Sequence, residues 1–295
     1  MKQIALFGRW TARIAQDTLR EWLDFLKEKS IEIWVEESFA QCWQEAEKEE
    51  LPIRSFSGRQ EICEASIAFV IGGDGAFLDA AQLVAPLGVP LIGIHAGRLG
   101  FLTDIPQQHL LPATQALLSG NFSIEKRSML SILTEPQVFS MDEAFALNEV
   151  VFSKAVTAEM ILLDVYLNGE LVNTYWADGL IVSTPTGSTA YSLACGGPIV
   201  TPNCANFILT PMAPHSLTVR SLVLPDTGVL TITFRTRTGQ VQIALDGRSV
   251  TVPDETAVAL RRAATPLKVI KMPTYSYFQT LRDRLSWGVD RREGL

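Results

Sequence analysis

The stretch Ile67-Ala68-Phe69-Val70-Ile71-Gly72-Gly73-Asp74-Gly75-Ala76-Phe77-Leu78 decides how this chain is read. Five apolar residues in a row entering paired glycines are the pattern of a strand buried on both faces of a parallel sheet. Residues 76–85 then read as a helix. The same rhythm runs outward on both sides. Residues 4–7 form a short apolar strand ending at Gly8, and 11–29 set Ile14, Leu19, Trp22, Leu23 and Leu26 along one helical stripe. Residues 31–35 read as the next strand, Ser38 can N-cap a charged helix running towards Glu50, and 91–94 form a further strand. Strand alternating with helix predicts an α/β domain with right-handed crossovers over residues 1–122.

From residue 123 the period changes. Residues 123–134, 144–152, 160–167, 171–176 and 180–183 read as strands. Asn168-Gly169 lies between two of them as a type I′ hairpin signal, and Asp246-Gly247 repeats it between 241–245 and 249–252. Residues 123–272 are therefore predicted to be mostly antiparallel β, interrupted by a loop and helix near 184–197. Residues 273–295 leave that pattern, with helical spacing and basic residues over 275–287.

Composition narrows the function classes. At 295 residues and 47% hydrophobic the chain can bury two ordinary cores, which excludes disorder. The net charge of −7 argues against nucleic-acid and membrane-surface binding, both of which need a basic face. The charge is uneven, however. Residues 1–219 hold 13 Lys and Arg against 25 Asp and Glu (net −12), whereas 220–295 hold 12 against 7 (net +5). An anionic ligand must meet the basic C-terminal region or a site built with few cations. Cys42, Cys63, Cys195 and Cys204 form no C-x-x-C pair, so free thiols in a reducing compartment are expected. His95, His109 and His215 are far apart, with no zinc-protease spacing, and no G-x-S-x-G marks a serine hydrolase. The N-terminal apolar run is too short for a signal peptide. The apolar stretch 83–96 is broken by Pro86, Gly88 and Pro90, so a soluble, cytoplasmic protein without a membrane span is predicted.

Three segments carry chemistry. Gly72, Gly73 and Gly75 allow close backbone approach to a pyrophosphate, and the helix that follows offers free N–H donors. Asp74 repels phosphate, so in such a cradle it suits a base for an acceptor hydroxyl or a metal tether; an ordinary turn with Asp at the N-cap has the same look. The second segment is Asp178-Gly179-Leu180-Ile181-Val182-Ser183-Thr184-Pro185-Thr186-Gly187-Ser188-Thr189-Ala190-Tyr191-Ser192, within a stretch, 179–219, that has no charged residue. Its hydroxyls, amides and tyrosine suit ribose and adenine recognition, or else a packed Ser/Thr turn. The third, Asn148-Glu149, can hold a ribose diol or simply end a strand. Gly93-Ile94-His95-Ala96-Gly97-Arg98-Leu99-Gly100-Phe101-Leu102 reads as a ligand wall or a tight connection, and Asp246-Gly247 as a hairpin turn.

In this order the segments resemble the NAD kinase family. Gly72-Gly73-Asp74-Gly75 is similar to its GGDG element, the 93–102 stretch to its second Gly-rich element, Asn148-Glu149 to its NE pair, and 178–192 to its signature loop. GGDG also occurs in diacylglycerol and sphingosine kinases; the 184–192 loop is much more specific. The resemblance implies a Rossmann-like α/β N-terminal domain, a β-rich antiparallel sandwich, and a C-terminal segment that returns to the first domain. It implies phosphoryl transfer from ATP to NAD to give NADP, a divalent ion such as Mg²⁺, and a homodimer or homotetramer whose sites can include a neighbour's residues. It implies Asp74 as the base, Gly72 and Gly73 as the phosphate cradle, and Gly75 and Phe101 lining the substrate. Asn148 and Glu149 would hold part of the dinucleotide, and Asp178 its nicotinamide end. Thr186, Thr189, Ala190, Tyr191, Ser192, Leu193 and Ala194 would contact adenine and ribose, with Ala213 and Asp246 completing the pocket. His95, Trp176 and Asp79 depart from residues frequent in the family, the last two from basic ones. A lipid kinase sharing the GGDG fold and a non-catalytic dinucleotide sensor are the alternatives. The resemblance also answers the charge puzzle, since Gly-rich amides and a divalent cation can hold phosphates without a lysine cluster.

Overall fold

All five residues of the strand Ile67–Ile71 are buried, and it lies inside a sheet drawn from both ends of the chain. With β1 (Gln3–Gly8), β2 (Glu32–Glu36), β3 (Arg54–Phe56), β4 (Ile67–Ile71) and β5 (Leu91–His95), the order is β3-β2-β1-β4-β5, followed by Leu267–Lys271 and Ser123–Arg127. The pairings from β3 through to Leu267–Lys271 are parallel. The computed structural model describes residues 1–9, 11, 14–47, 53–140, 144–156 and 159–288. The chain divides into two units, residues 1–125 with 267–295, and residues 126–266. Residues 267–271 thus lie in the first unit's sheet, although their sequence reads like the β region before them.

The helices of the first unit follow from their apolar stripes. In α1 (Gln16–Glu28) the residues Leu19, Trp22, Leu23 and Leu26 are buried, and the Trp22 indole N–H donates to Thr114 Oγ1 at 2.8 Å on α4 (Leu110–Leu118). Residues 12, 13 and 48–50 of the two helices expected near the N-terminus lie outside the described residues. The expected Ser38 cap is not used. β2 runs straight into α2 (Glu37–Glu47), which puts Glu36 in the capping place, where its carboxylate accepts from Phe39 N–H at 3.1 Å and Ser38 Oγ–H at 2.6 Å. A buried Lys271–Asp104 pair at 2.8 Å ties the late strand to the segment after β5. The C-terminal helix Tyr277–Leu285 follows in the same unit, and residues 289–295 of the expected tail lie outside the described residues. Among the described residues no helix is long and apolar enough to cross a membrane.

The second unit is a sandwich of two six-stranded antiparallel sheets. One runs Leu222–Pro225, Asn206–Met212, Gly179–Ser183, Glu149–Lys154, Gln240–Leu245, Arg248–Pro253; the other runs Glu170–Ala177, Ile161–Leu167, Leu230–Arg235, Ala257–Arg262, Leu130–Glu135, Phe145–Ala146. Their inner faces share one apolar cluster, in which the Phe152 and Phe234 rings meet at 5.5 Å. Both sequence-predicted hairpins form with left-handed turn residues: Asn168 and Gly169 at φ 50° and 85°, Asp246 and Gly247 at 47° and 88°. Two expected strands are each split. The run 123–134 divides into Ser123–Arg127 in the first unit's sheet and Leu130–Glu135 in the second unit. The run 144–152 divides at 147–148, because those N–H groups bond to the Asp246 carboxylate instead of a ladder partner.

Candidate active site

In the first unit β4 ends at Ile71 and α3 (Asp74–Val84) begins at Asp74, with Gly73 extended at φ −105°, ψ −176°. The Asp74 carboxylate is held by the second Gly-rich segment. Oδ1 accepts from Leu102 N–H (3.0 Å), Thr103 N–H (3.2 Å) and Thr103 Oγ1 (3.3 Å), while among the described residues Oδ2 accepts from Phe101 N–H alone (2.9 Å). A carboxylate has about four lone-pair sites, so Oδ2 keeps one open. Gly100 has to be glycine, since a Cβ there would lie 2.0 Å from Asp74 Oδ1. Gly73 is the opposite case: a Cβ would meet nothing within 4 Å, which leaves open space at the head of the helix. The Phe101 ring sits 5.9 Å from the Arg284 guanidinium of the C-terminal helix. Burial lowers the His95 pKa, opposed by the Gly97 carbonyl and the charges of Asp104 and Asp74, which favours a neutral ring.

The second unit holds Asn148-Glu149 between two turns. On one side, the Asp246 carboxylate accepts from the N–H groups of Leu147 (2.6 Å), Asn148 (2.9 Å) and Glu149 (3.0 Å). On the other, Asn148 O accepts from Thr184 N–H (2.8 Å) and Leu147 O from Thr184 Oγ1 (2.6 Å). A Cβ on Gly187 would lie 2.2 Å from Asn148 O, so only glycine lets that turn close down. The Asn148 side-chain amide makes no hydrogen bond among the described residues and is available to a ligand. Glu149 Oε2 is buried without a hydrogen-bond partner among the described residues. Burial, with the neighbouring Asp246 charge, pushes the Glu149 carboxyl up to about 8 against the opposing Tyr191 N–H, so at neutral pH it is mostly a neutral acid. Burial also raises the pKa of Asp246, countered by the backbone N–H groups it holds.

The hydroxyl-rich turn divides between its two sequence readings. Thr184, Ser188 and Ser192 face inward: Ser188 Oγ lies 2.7 Å from Pro185 O, and Ser192 Oγ lies 2.8 Å from Thr210 Oγ1. Thr186 is also buried, with Oγ1 3.4 Å from Arg127 Nη1. Buried polar groups need partners, and these hydroxyls find theirs inside the unit: a carbonyl of the turn for Ser188, Leu147 O for Thr184 and the Thr210 hydroxyl for Ser192. Thr189, Ala190, Tyr191, Leu193 and Ala194 keep accessible surface, Tyr191 at 44% exposure.

Asp178 and Ala213 belong to a separate cluster. Glu149 pairs with Ser183 and Ser153 with Gly179, so Asp178 lies at the far end of that ladder from Asn148, about 20 Å along the strands. There Asp178 Oδ1 accepts from Lys154 Nζ at 2.6 Å, and Trp176 stacks on His215 at 4.5 Å and 23°. Lys154, Met160, Trp176, Asp178 and Arg237 line a cavity of about 530 Å³. Ala213, at φ 43°, follows the strand whose Met212 carbonyl accepts from Asp178 N–H at 3.0 Å.

A family model of the ATP-NAD kinase N-terminal domain matches residues 4–122, and one of the ATP-NAD kinase C-terminal domain matches residues 147–272. The chain belongs to the NAD kinase family. The NAD kinase of Flavobacterium johnsoniae is 37% identical over 292 residues, covering 98% of this chain and 99% of that one. The NAD kinase of Porphyromonas gingivalis strain W83 is 38% identical over 291 residues, at 98% and 99% coverage. Among solved structures, yeast NADH kinase complexed with NADH superposes with a TM-score of 0.86 at 20% identity, covering 98% of this chain and 89% of that one. An NAD kinase from Archaeoglobus fulgidus in complex with ATP gives 0.72 at 21%, covering 96% and 99%. At those identities the likeness is one of fold. The matches select the NAD kinase family over the lipid kinases that share its Gly-rich turn.

For a member of the NAD kinase family, the sequence left several positioning residues unnoticed. Gly100, Thr103, Thr184 and Gly187 act through backbone contacts that no spacing reveals. Lys154 had a signal, being the one Lys or Arg between residues 128 and 219. Among the described residues no three His, Cys, Asp or Glu side chains converge into a metal cage. Mg²⁺ commonly binds through one or two carboxylates, waters and the substrate's phosphates, and the open lone pair on Asp74 Oδ2 fits that mode.

Proposed function

We propose that this NAD kinase family member transfers the terminal phosphoryl group of ATP to the 2′-hydroxyl of the adenosine ribose of NAD. The observation that carries the reading is the Asp74 carboxylate at the head of α3, fixed by Phe101, Leu102 and Thr103 and with Oδ2 still open. In the proposed reaction Asp74 takes the 2′-hydroxyl proton as that oxygen bonds to the terminal phosphorus. The bond to the bridging oxygen breaks, ADP leaves, and Asp74 later returns the proton to solvent. The N–H groups of Gly73 and Gly75 donate to phosphate oxygens, Gly72, whose own N–H is held by Ile94 O at 2.9 Å, shapes the turn behind them, and Phe101 lines the substrate. The Asn148 amide and the protonated Glu149 hold a ribose, while Thr189, Ala190, Tyr191, Leu193 and Ala194 contact the adenosine. Thr186, Ser192 and Asp246 act from behind by shaping those turns, and Asp178 with Ala213 serves the nicotinamide end. Mg²⁺ carried on the nucleotide would neutralise charge on the phosphates. We further propose a cytoplasmic homodimer or homotetramer.

The test is NADP formation by the purified chain from ATP and NAD⁺, with and without Mg²⁺. Parallel arms offer NADH as acceptor and polyphosphate as donor. NADP formation that requires the metal is expected; absence of phosphorylated dinucleotide in every arm overturns the reading.

A further inference from the structure

The phosphate cradle has too little positive charge of its own for a triphosphate. Helix α3 opens with Asp74, carries Asp79 in its second turn, and contains no Lys or Arg. A helix N-terminus contributes only about half an elementary charge, and both carboxylates oppose the donor's phosphates. Besides the divalent ion carried on the nucleotide, a cation can come from another element, and the neighbouring strand supplies one. Arg9 follows β1, and its N–H donates to Ile71 O at 3.2 Å, so it stands beside the end of β4. Its side chain crosses to the helix. Nη2 lies 2.5 Å from Asp79 Oδ2, and Nη1 comes within 4.0 Å of a Cβ placed on Gly75. The carboxyl ends of adjacent parallel strands are where open α/β sheets bind ligands.

We propose that Arg9 is the donor-binding cation of this chain, gripping the terminal phosphates of ATP at the Gly72–Gly75 turn, with Asp79 as the latch that holds it there in the free protein. The guanidinium fork matches two phosphate oxygens at once. The Arg9 and Asp79 side chains are 68% and 61% exposed, and an ion pair so exposed is weak. A triphosphate therefore displaces the single carboxylate, and Arg9 turns from Asp79 to the donor without disturbing the fold. The identity of the donor rests on the function proposed above; the place of the cation rests on the geometry of β1 and α3.

The experiment is calorimetric titration of MgATP into the chain without NAD, together with steady-state kinetics in both substrates. Arg9→Ala should weaken ATP binding about ten- to a hundredfold, the range for loss of a charge-assisted contact, with KM for NAD unchanged. Arg9→Lys should recover part of the loss. Asp79→Asn should tighten ATP, because it frees Arg9 and removes a like charge, whereas a merely structural ion pair predicts that both partners' variants weaken it. Unchanged ATP affinity in Arg9→Ala, a loss confined to NAD, or weakened ATP binding in Asp79→Asn overturns the proposal. A wild-type chain that binds MgATP but phosphorylates neither NAD⁺ nor NADH refutes the proposed function instead, and the titration still decides the role of Arg9.

Discussion

Each unit of this chain uses one aspartate to hold the backbone of a neighbouring segment, and the two aspartates end in different roles. Asp74 takes three N–H groups from residues 101–103, and Asp246 takes three from residues 147–149. Asp74 heads a helix between glycines that leave open space, so one of its oxygens stays available. Asp246 sits in a left-handed hairpin position, where burial raises its pKa and its oxygens serve the segment beside it. The same hydrogen-bond device thus leaves a carboxylate oxygen open where the backbone stays open and makes a brace where it closes. Residue type alone does not distinguish them.

Three experiments can break or sharpen that contrast. The largest effect is expected at the open aspartate. Asp74→Asn should lower turnover by about 10²–10⁴-fold, the usual contribution of a positioned base. NAD binding should persist, since Asn148 and Glu149 are untouched. Turnover like that of the wild type in a stopped assay would remove Asp74 as the base. The closed aspartate should instead affect stability and binding. Asp246→Ala strands three N–H groups and should cost roughly 3 kcal/mol in denaturant melts, weakening NAD through Asn148 while kcat at saturation changes little. A large fall in kcat with unchanged stability would mean that Asp246 reaches the reacting atoms.

The smallest effect is a pH slope at Glu149. Its carboxyl is raised from 4.5 to about 8, so between those values the folded chain holds a proton that the unfolded chain has released. The stabilisation from that proton is complete below pH 4.5 and is lost as pH rises to 8. Glu149→Gln should flatten the fall in melting temperature across this window. Parallel slopes in mutant and wild type would show that Glu149 is ionised in the fold.

Much of this was legible in the chain. The run from Ile67 to Gly73 announces a buried strand and an open turn, because an apolar run and missing side chains are local properties. Asn168-Gly169 fixes a hairpin because only such residues accept two left-handed positions in succession. The hydroxyl-rich loop was legible only in part. Its composition suits a ligand surface and a packed turn equally, and only burial shows that Thr184, Ser188 and Ser192 bond inward. The split of the 144–152 run was invisible for the same reason, since the carboxylate that interrupts it lies 98 residues away from Asn148.

The sequence by itself determined the two architectures, the Gly-rich turn with its aspartate, and the pairing of Asn148 with Glu149, because these depend on period, backbone freedom and adjacency. Tertiary structure alone decided which aspartate stays open, that Glu149 is buried beside Asp246, that Asp178 stands apart from Asn148, and that Arg9 reaches the helix of Asp79. Those facts depend on burial and on contacts between distant segments, which exist only once the strands have chosen their neighbours.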